Sequence, residues 1–399
     1  MAVDVDGFVA PGFEGVRDAF ARNFAEHGDV GAAVAVHLDG RKVIDLCGGV
    51  ADRATGRPYD PATLQVVFST TKGATAVCAH LLADRGLLDI DAPVASYWPE
   101  FARAGKGAIP VRWLLGHKAG LPVIDRTLTL EQALAWDPVI EALEDQTPIW
   151  EPGTAHGYHA LTYGWLVGEV VRRIDGRSLG TFLHEEVAVP LGIDFWIGLP
   201  ASEEHRVAPL INAPVPEDPA VARLLLERAG PDSLMGRALS LQGAFDLRGT
   251  FNRPDVHAAE IGAGGGITNA TSLSRLYAGL IGTVEGGPPE PLLSPGQIDA
   301  ARTRQTEGPD RVLSLGGDIP VTLSFGLGFM VSSASPAFGG ERAFGHTGAG
   351  GSVGFADPDH GIAFGYVINQ MQQGVAGDPR TRGLIKATYE AAGVPIAFV

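Results

Sequence analysis

Two cysteines, five lysines and no long apolar run are what this 399-residue chain has least of. Cys47 and Cys78 lie in apolar contexts, IDLCGG and AVCAHLL. This suits two buried thiols and excludes a disulfide framework or a cysteine metal cluster. Positive charge is scarce as well: 30 Lys and Arg against 46 Asp and Glu leave a net charge of −16. That balance argues against nucleic acid or an anionic membrane as a partner held by bulk electrostatics. The apolar runs are too short or too interrupted to span a bilayer. The N-terminal MAVDVDGFVAPGFEG has neither a basic start nor an apolar h-region, so no signal peptide is expected and the expected location is cytoplasmic. What the chain holds in quantity is glycine, 54 residues, and proline, 28, within an otherwise ordinary globular composition. Its length allows a large core and more than one lobe.

Residues 12–27, GFEGVRDAFARNFAEH, set Phe13, Val16, Phe20 and Phe24 at helical spacing and predict an amphipathic helix. VGAAVAVHLDGRKVIDLCGGVAD reads as two strands around a hairpin turn at Asp39-Gly40. Ser69-Thr70-Thr71-Lys72 then opens GATAVCAHLLADRGLL, apolar at helical spacing and ending near Gly86, which puts Ser69 at or just inside a helix N-terminus. From residue 87 to 250, WLLGHKAGL, EQALAWDPVIEAL, LTYGWLVGEVVRRIDG, LGTFLHEEVAVPLG and AVARLLLERAG read as helices joined by Pro/Gly loops. A glycine-rich passage leads into the helix of SLSRLYAGLIG, and LSFGLGFMVSS, ERAFGHTG, SVGFADP and GIAFGYVIN read as strands. PRTRGLIKATYEAAG closes the chain as a helix with Asp378 as cap and Pro379 at its first position. The expected fold class is α+β: a discontinuous sheet domain (1–86 and 251–399) interrupted by a mainly helical lobe (87–250).

Two serines compete for attention. Gly350-Gly351-Ser352-Val353-Gly354 satisfies the G-x-S-x-G pattern of a nucleophile elbow, but that device needs a helix directly after the serine. Ser352 instead leads into VGFADPDHGIAFGYVINQ, a strand, a turn and another strand, so it is expected to be a bystander whose replacement leaves most activity. Ser69-x-x-Lys72 has the helical context. Spacing of i, i+3 places both side chains on one helix face, and the N-terminal amides can face a developing oxyanion. Burial and the dipole both lower the pKa of a lysine there, which suits a base. On the tetrapeptide alone, an N-cap serine followed by a surface lysine is the commoner arrangement and the favoured reading.

The remaining motifs bear on that choice. VVFSTTKGATAVCAHLLADRGLLDIDAPVASYWPEF, VRWLLGHKAGLP, WEPGTAHGYHALTYGWLVGEVVRRIDG, GAGGGITNATSLSRLYAGL and GHTGAGGSVGF resemble, in order and spacing, the serine β-lactamase-like hydrolases. Within that superfamily they are most similar to the class C β-lactamase-related carboxylesterases, or family VIII esterases. The resemblance covers essentially the whole chain. It implies a β-lactamase/transpeptidase-like fold, a central antiparallel sheet flanked by helices, with the site between sheet domain and helical lobe. It further implies Ser69 as nucleophile, Lys72 as the lysine that helps deprotonate it, and Tyr158 of GYHA, as a phenolate or shared-proton partner of Lys72, as the group that takes the serine proton and returns it to the leaving group. His346-Thr347-Gly348 falls where β-lactamases carry K-T-G and is expected to line the substrate site, with His346 bonding substrate or Tyr158. The backbone N–H groups of Ser69 and Ala349 would form the oxyanion hole, and the crowded glycines are read as room for the substrate carbonyl.

Departures from the pattern shape the expected substrate. Ala160 stands where β-lactamases hold a lactam amide with asparagine, and His346 replaces a permanent lysine charge. Lys118-Ala119 stands where the wider family commonly has Thr-Ser. His156 and His159 lack the carboxylate partner of an H-E-x-x-H metal motif and are read as loop histidines near a pocket. Ala263 to Ile267 suits either a site border or a structural turn. The function implied is a serine carboxylesterase on small neutral esters, without metal or cofactor. The alternatives are an acyltransferase, a D-amino-acid or lactam amidase, a weak β-lactamase or a non-catalytic scaffold.

Overall fold

A computed structural model of the chain describes all residues except 1–2, 221–222, 224–226, 228, 247–248, 315–320, 333–337, 374–377 and 397–399. Its main sheet has eight strands: β1 Val5–Val9, β2 Gly31–Leu38, β3 Arg41–Asp52, β4 Arg57–Pro58, β8 Met330–Val331, β9 Phe344–Thr347, β10 Val353–Asp357 and β11 Ile362–Ile368. The order is β1-β3-β2-β11-β10-β9-β8, with β4 beside β3, and every pairing is antiparallel. The hairpin turn between β2 and β3 has φ of 48° at Asp39 and 75° at Gly40, the two positive values that a type I′ connection requires.

The two-residue period of β2 shows how the sheet is covered. Ala33 and Ala35 point into one apolar cluster with Leu273 and Leu276, while Ala32, Val34 and Val36 join a second with Val16, Phe20, Leu384 and Ile385. Helix α5, Ala270–Ile281, therefore covers the first face, and α1, Glu14–Glu26, with α6, Pro379–Ala391, covers the other. Asp378 caps α6 through a 2.9 Å hydrogen bond from the Arg380 N–H, as the Asp-Pro pair predicts.

Between the two halves of the sheet the chain is mainly helical. Helix α2, Thr71–Asp84, is buried at every position from Thr71 to Leu82 and packs against α3, Thr162–Asp175. Helix α4, Leu234–Ser240, lies further along the same segment. Residues 87–250 also supply a strand, β6 Phe195–Trp196, to a small sheet with β5 Gln65–Val66 and β7 Ile267–Thr268 in the order β5-β7-β6. The helix expected over AVARLLLERAG lies partly outside the described residues.

One strand reading needs correction, and one strand was not read at all. LSFGLGFMVSS forms a strand only at Met330–Val331, because Gly326 and Gly328 press the preceding segment against Ala301 O and the Ala76 methyl group, with φ at Gly328 of 88°. In contrast, β1 has no apolar alternation, Phe8 being 49% exposed, yet pairs with β3 over five residues as a sheet edge. Among the described residues no helix is long and apolar enough to cross a membrane.

Candidate active site

Ser69 is set by a strained entry into α2. After β5 the chain makes a single 3-10 turn, Phe68–Thr70, with φ at Phe68 of 43°, an unusual conformation for a bulky residue. The Phe68 ring is anchored edge-on against Phe251 at 5.0 Å, and the Val67 N–H donates to Gly266 O at 2.9 Å. As second residue of the turn, Ser69 has an N–H without an intrahelical acceptor, at the positive end of a 14-residue helix. Its side chain is half-buried.

Lys72 is fully buried one turn further on and is not a surface lysine. Its Nζ lies 3.2 Å from Ser69 Oγ, 2.7 Å from Ala160 O and 2.9 Å from Ala263 O. The carbonyls only accept, so they take two N–H groups. A neutral amine has two, which leaves its lone pair for the serine hydroxyl. Burial drives the Lys72 pKa well below that of an ordinary lysine, which favours this neutral form. The passage from Ala263 to Ile267 thus borders the site: Ala263 O holds Lys72, and the Gly266 N–H donates to Thr71 Oγ1 at 2.8 Å.

Tyr158 is buried beside this pair, its ring centroid 4.7 Å from Lys72 Nζ. Burial raises its pKa, partly opposed by a hydrogen bond with Ser69 and reinforced by Asp310, so the phenol keeps its proton. Its backbone is fixed by Asp310, whose Oδ1 accepts the N–H groups of Tyr158, Val312 and Leu313 at 3.1, 2.8 and 2.8 Å. His117 packs its ring 5.0 Å from Tyr158 and 4.6 Å from Phe325.

The loop histidines are structural. His159 donates Nδ1–H to Gly157 O at 2.7 Å and accepts the Leu121 N–H on Nε2 at 3.0 Å, a neutral tautomer that burial stabilises by moving its pKa down to about 4. His156 is buried as well, and Lys118 is half-buried beside a buried Ala119. Among the described residues no three His, Cys, Asp or Glu side chains come together as a metal site. Cys47 and Cys78 are buried free thiols.

His346 lies on β9, with its ring centroid 6.1 Å from Tyr158. Its Nδ1–H donates to Thr347 O at 2.7 Å, so Nε2 carries the lone pair, and that atom is buried without a partner. Burial holds its pKa down at about 3, so it is a neutral acceptor and adds no charge. No hydrogen bond joins it to Tyr158, one of the two partners that were expected. Thr347 Oγ1 meets Met330 Sδ at 3.4 Å. Just past β9, Ala349 is half-buried and its N–H meets no acceptor among the described residues.

The glycines here serve the protein's own packing. A Cβ on Gly348 would sit 2.2 Å from both Ser352 Oγ and Val67 O, and one on Gly351 would sit 2.4 Å from Arg380 Nη2. This corrects the reading of glycine as room for substrate. Ser352 is buried, donates its hydroxyl to Val67 O and leads into strand β10 with no helix behind it, so the context of a nucleophile elbow is absent.

Comparisons with known proteins identify the family. The Beta-lactamase family model matches residues 16–387. The esterase/beta-lactamase LipL of Mycobacterium tuberculosis (strain ATCC 25618 / H37Rv) is 36% identical, over 92% of this chain and 83% of its own length. A crystallised family VIII carboxylesterase shares 36% identity at a TM-score of 0.85, covering 97% of this chain and 100% of its own. A penicillin-binding protein homolog from Caulobacter crescentus shares 38% identity, also at 0.85, with coverage of 97% and 100%. The chain belongs to the beta-lactamase family and has its α+β, β-lactamase/transpeptidase-like fold; it is a serine hydrolase.

Asp310, His117 and the two carbonyls that hold Lys72 escaped the sequence reading in these roles. Asp310 sits in a plain G-P-D turn, 152 residues from the tyrosine it supports. His117 and the carbonyls of Ala160 and Ala263 act through positions that no local pattern marks.

Proposed function

We propose that the protein is a serine carboxylesterase acting on small or short-chain neutral esters. Ser69 Oγ attacks the ester carbonyl carbon while its proton passes to the Lys72 lone pair. The Ser69 and Ala349 N–H groups hold the oxyanion. The acyl–oxygen bond then breaks, Tyr158 hands its proton to the departing alkoxide, and the proton on Lys72 returns to Tyr158. Water repeats the sequence on the acyl-enzyme and releases the acid. The observation that carries this reading is the fully buried Lys72 Nζ, 3.2 Å from Ser69 Oγ with two carbonyls as its other neighbours. In the neutral amine that burial favours, the carbonyls take both N–H groups and the lone pair is free for Ser69.

The neutral His346 supports esters over lactams, since it offers no cation for the carboxylate of a β-lactam. The relatives include an esterase/beta-lactamase and a carboxylesterase, which supports hydrolysis of esters. Purified enzyme should hydrolyse p-nitrophenyl acetate and butyrate well and nitrocefin poorly. Nitrocefin turnover at the ester rate would replace this reading with a β-lactamase. Faster release of nitrophenol on adding an alcohol, with transfer to that alcohol, would identify an acyltransferase.

A further inference from the structure

Ser352 holds together the two chain segments that the mechanism requires to act as one. Its Oγ–H donates to Val67 O at 2.9 Å, and its Oγ lies 3.3 Å from Thr70 Oγ1, so Thr70 is the donor in that pair. Val67 and Thr70 flank Ser69 on either side. The Ser352 carbonyl in turn accepts the Gly348 N–H at 2.7 Å, which closes the turn containing Ala349. Ser352 thereby links the nucleophile's turn to the turn that carries the second oxyanion donor, beside a longer contact of 3.5 Å between Thr70 Oγ1 and the His346 carbonyl on β9. The contact is close because Gly348 has no side chain: any Cβ there would displace the hydroxyl. The far side of the same turn is pinned by the buried Arg380, whose Nη2 donates to Gly350 O at 2.5 Å, and by Thr381 Oγ1, which donates to Gly351 O at 3.3 Å.

We infer that Ser352 is a positioning residue that sets the spacing of the Ser69 and Ala349 N–H groups, and that transition-state binding depends on its hydroxyl. The inference rests on the oxyanion hole proposed above. With Arg380 and Thr381 still in place, loss of the hydroxyl leaves the turn folded but free to drift from Ser69. An oxyanion hole is sensitive to displacement well under an ångström, because its hydrogen bonds are short and directional.

The test compares Ser352→Ala and Ser352→Cys with the native enzyme, using p-nitrophenyl butyrate as substrate and butylboronic acid as inhibitor. The tetrahedral boronate on Ser69 places an oxygen where the oxyanion forms. Ser352→Ala should lower kcat about tenfold with KM little changed, and weaken the boronic acid by the same factor. Ser352→Cys, which keeps the volume and a weak donor, should fall between; it decides the matter if the alanine variant melts early. Native kcat and boronate affinity in a folded variant would overturn the inference, as would a lower kcat with unchanged boronate affinity. Ser69→Ala, assayed alongside, separates the two levels: activity there sinks the serine mechanism itself, whereas a dead Ser69→Ala beside a fully active Ser352→Ala sinks only the role of Ser352.

Discussion

If Lys72 is the neutral base, the pH dependence of catalysis should show it. An ordinary lysine, with a pKa of 10.5, would present only about one neutral amine in a thousand at pH 7.5. Catalysis by such a group would climb about tenfold per pH unit up to roughly pH 10. Lys72 forms no ion pair among the described residues, and burial alone drives its pKa down. The profile of kcat/KM for p-nitrophenyl butyrate should therefore reach its plateau well before pH 10, with the acid limb displaced downward. A slope of one sustained to about pH 10 would refute the neutral base. Stability supplies a second readout. Between the depressed pKa of Lys72 and 10.5 the unfolded chain binds a proton that the folded chain does not. This group's contribution therefore rises with pH across that window, by up to about 1.4 kcal/mol per unit, and is lost on acidification. Lys72→Met removes that slope and also orphans Ala160 O and Ala263 O, a pH-independent cost of about 1–3 kcal/mol for each buried carbonyl. Parallel stability curves for native and variant would mean that Lys72 is already protonated in the folded protein.

Three further substitutions address other parts of the account. Tyr158→Phe should cut kcat by about 10²–10⁴ with KM little changed, since the phenol moves a proton and binds no remote part of the ester; a kcat within about threefold of native would exclude it from proton transfer. Gly348→Ala forces a methyl group to within 2.2 Å of Val67 O and Ser352 Oγ. It should reduce kcat on the order of 100-fold through displacement of the β9 wall, and native turnover would show that the wall tolerates movement. Arg380→Met strips the buried Asp29 of its 2.8 Å partner and the Gly350 carbonyl of its donor. Denaturant unfolding should report a loss of about 3–5 kcal/mol, and a change under about 1 kcal/mol would mean that the cluster relaxes around the gap.

What was legible in the sequence was local. The spacing of Val16 and Phe20, the Asp39-Gly40 turn and the Asp378-Pro379 cap each depend on neighbours within a few residues, and each forms as expected. Ser69 and Lys72 belong to the same class, since a single helical turn brings them together. Tyr158, His346 and Ala349 were reached only through resemblance to a family, because their placement depends on contacts between distant segments. Ser352 shows the limit from the other direction. Its neighbours in sequence suggested a nucleophile or a bystander, while its contacts lie with Val67 and Thr70, more than 280 residues away. Asp310 was invisible for the same reason: its carboxylate accepts the backbone N–H of Tyr158, and backbone donors leave no pattern in side-chain identities. Strand β1 escaped because an edge strand needs only main-chain pairing and one partly buried face.

The central claim is that Ser69, and not Ser352, carries the acyl group. Intact enzyme treated with a fluorophosphonate and analysed by peptide mass spectrometry tests it directly. The account predicts stoichiometric modification on the peptide containing Ser69, matched by loss of esterase activity, with none in a folded Ser69→Ala variant. Labelling at Ser352, or an active Ser69→Ala enzyme, would contradict it.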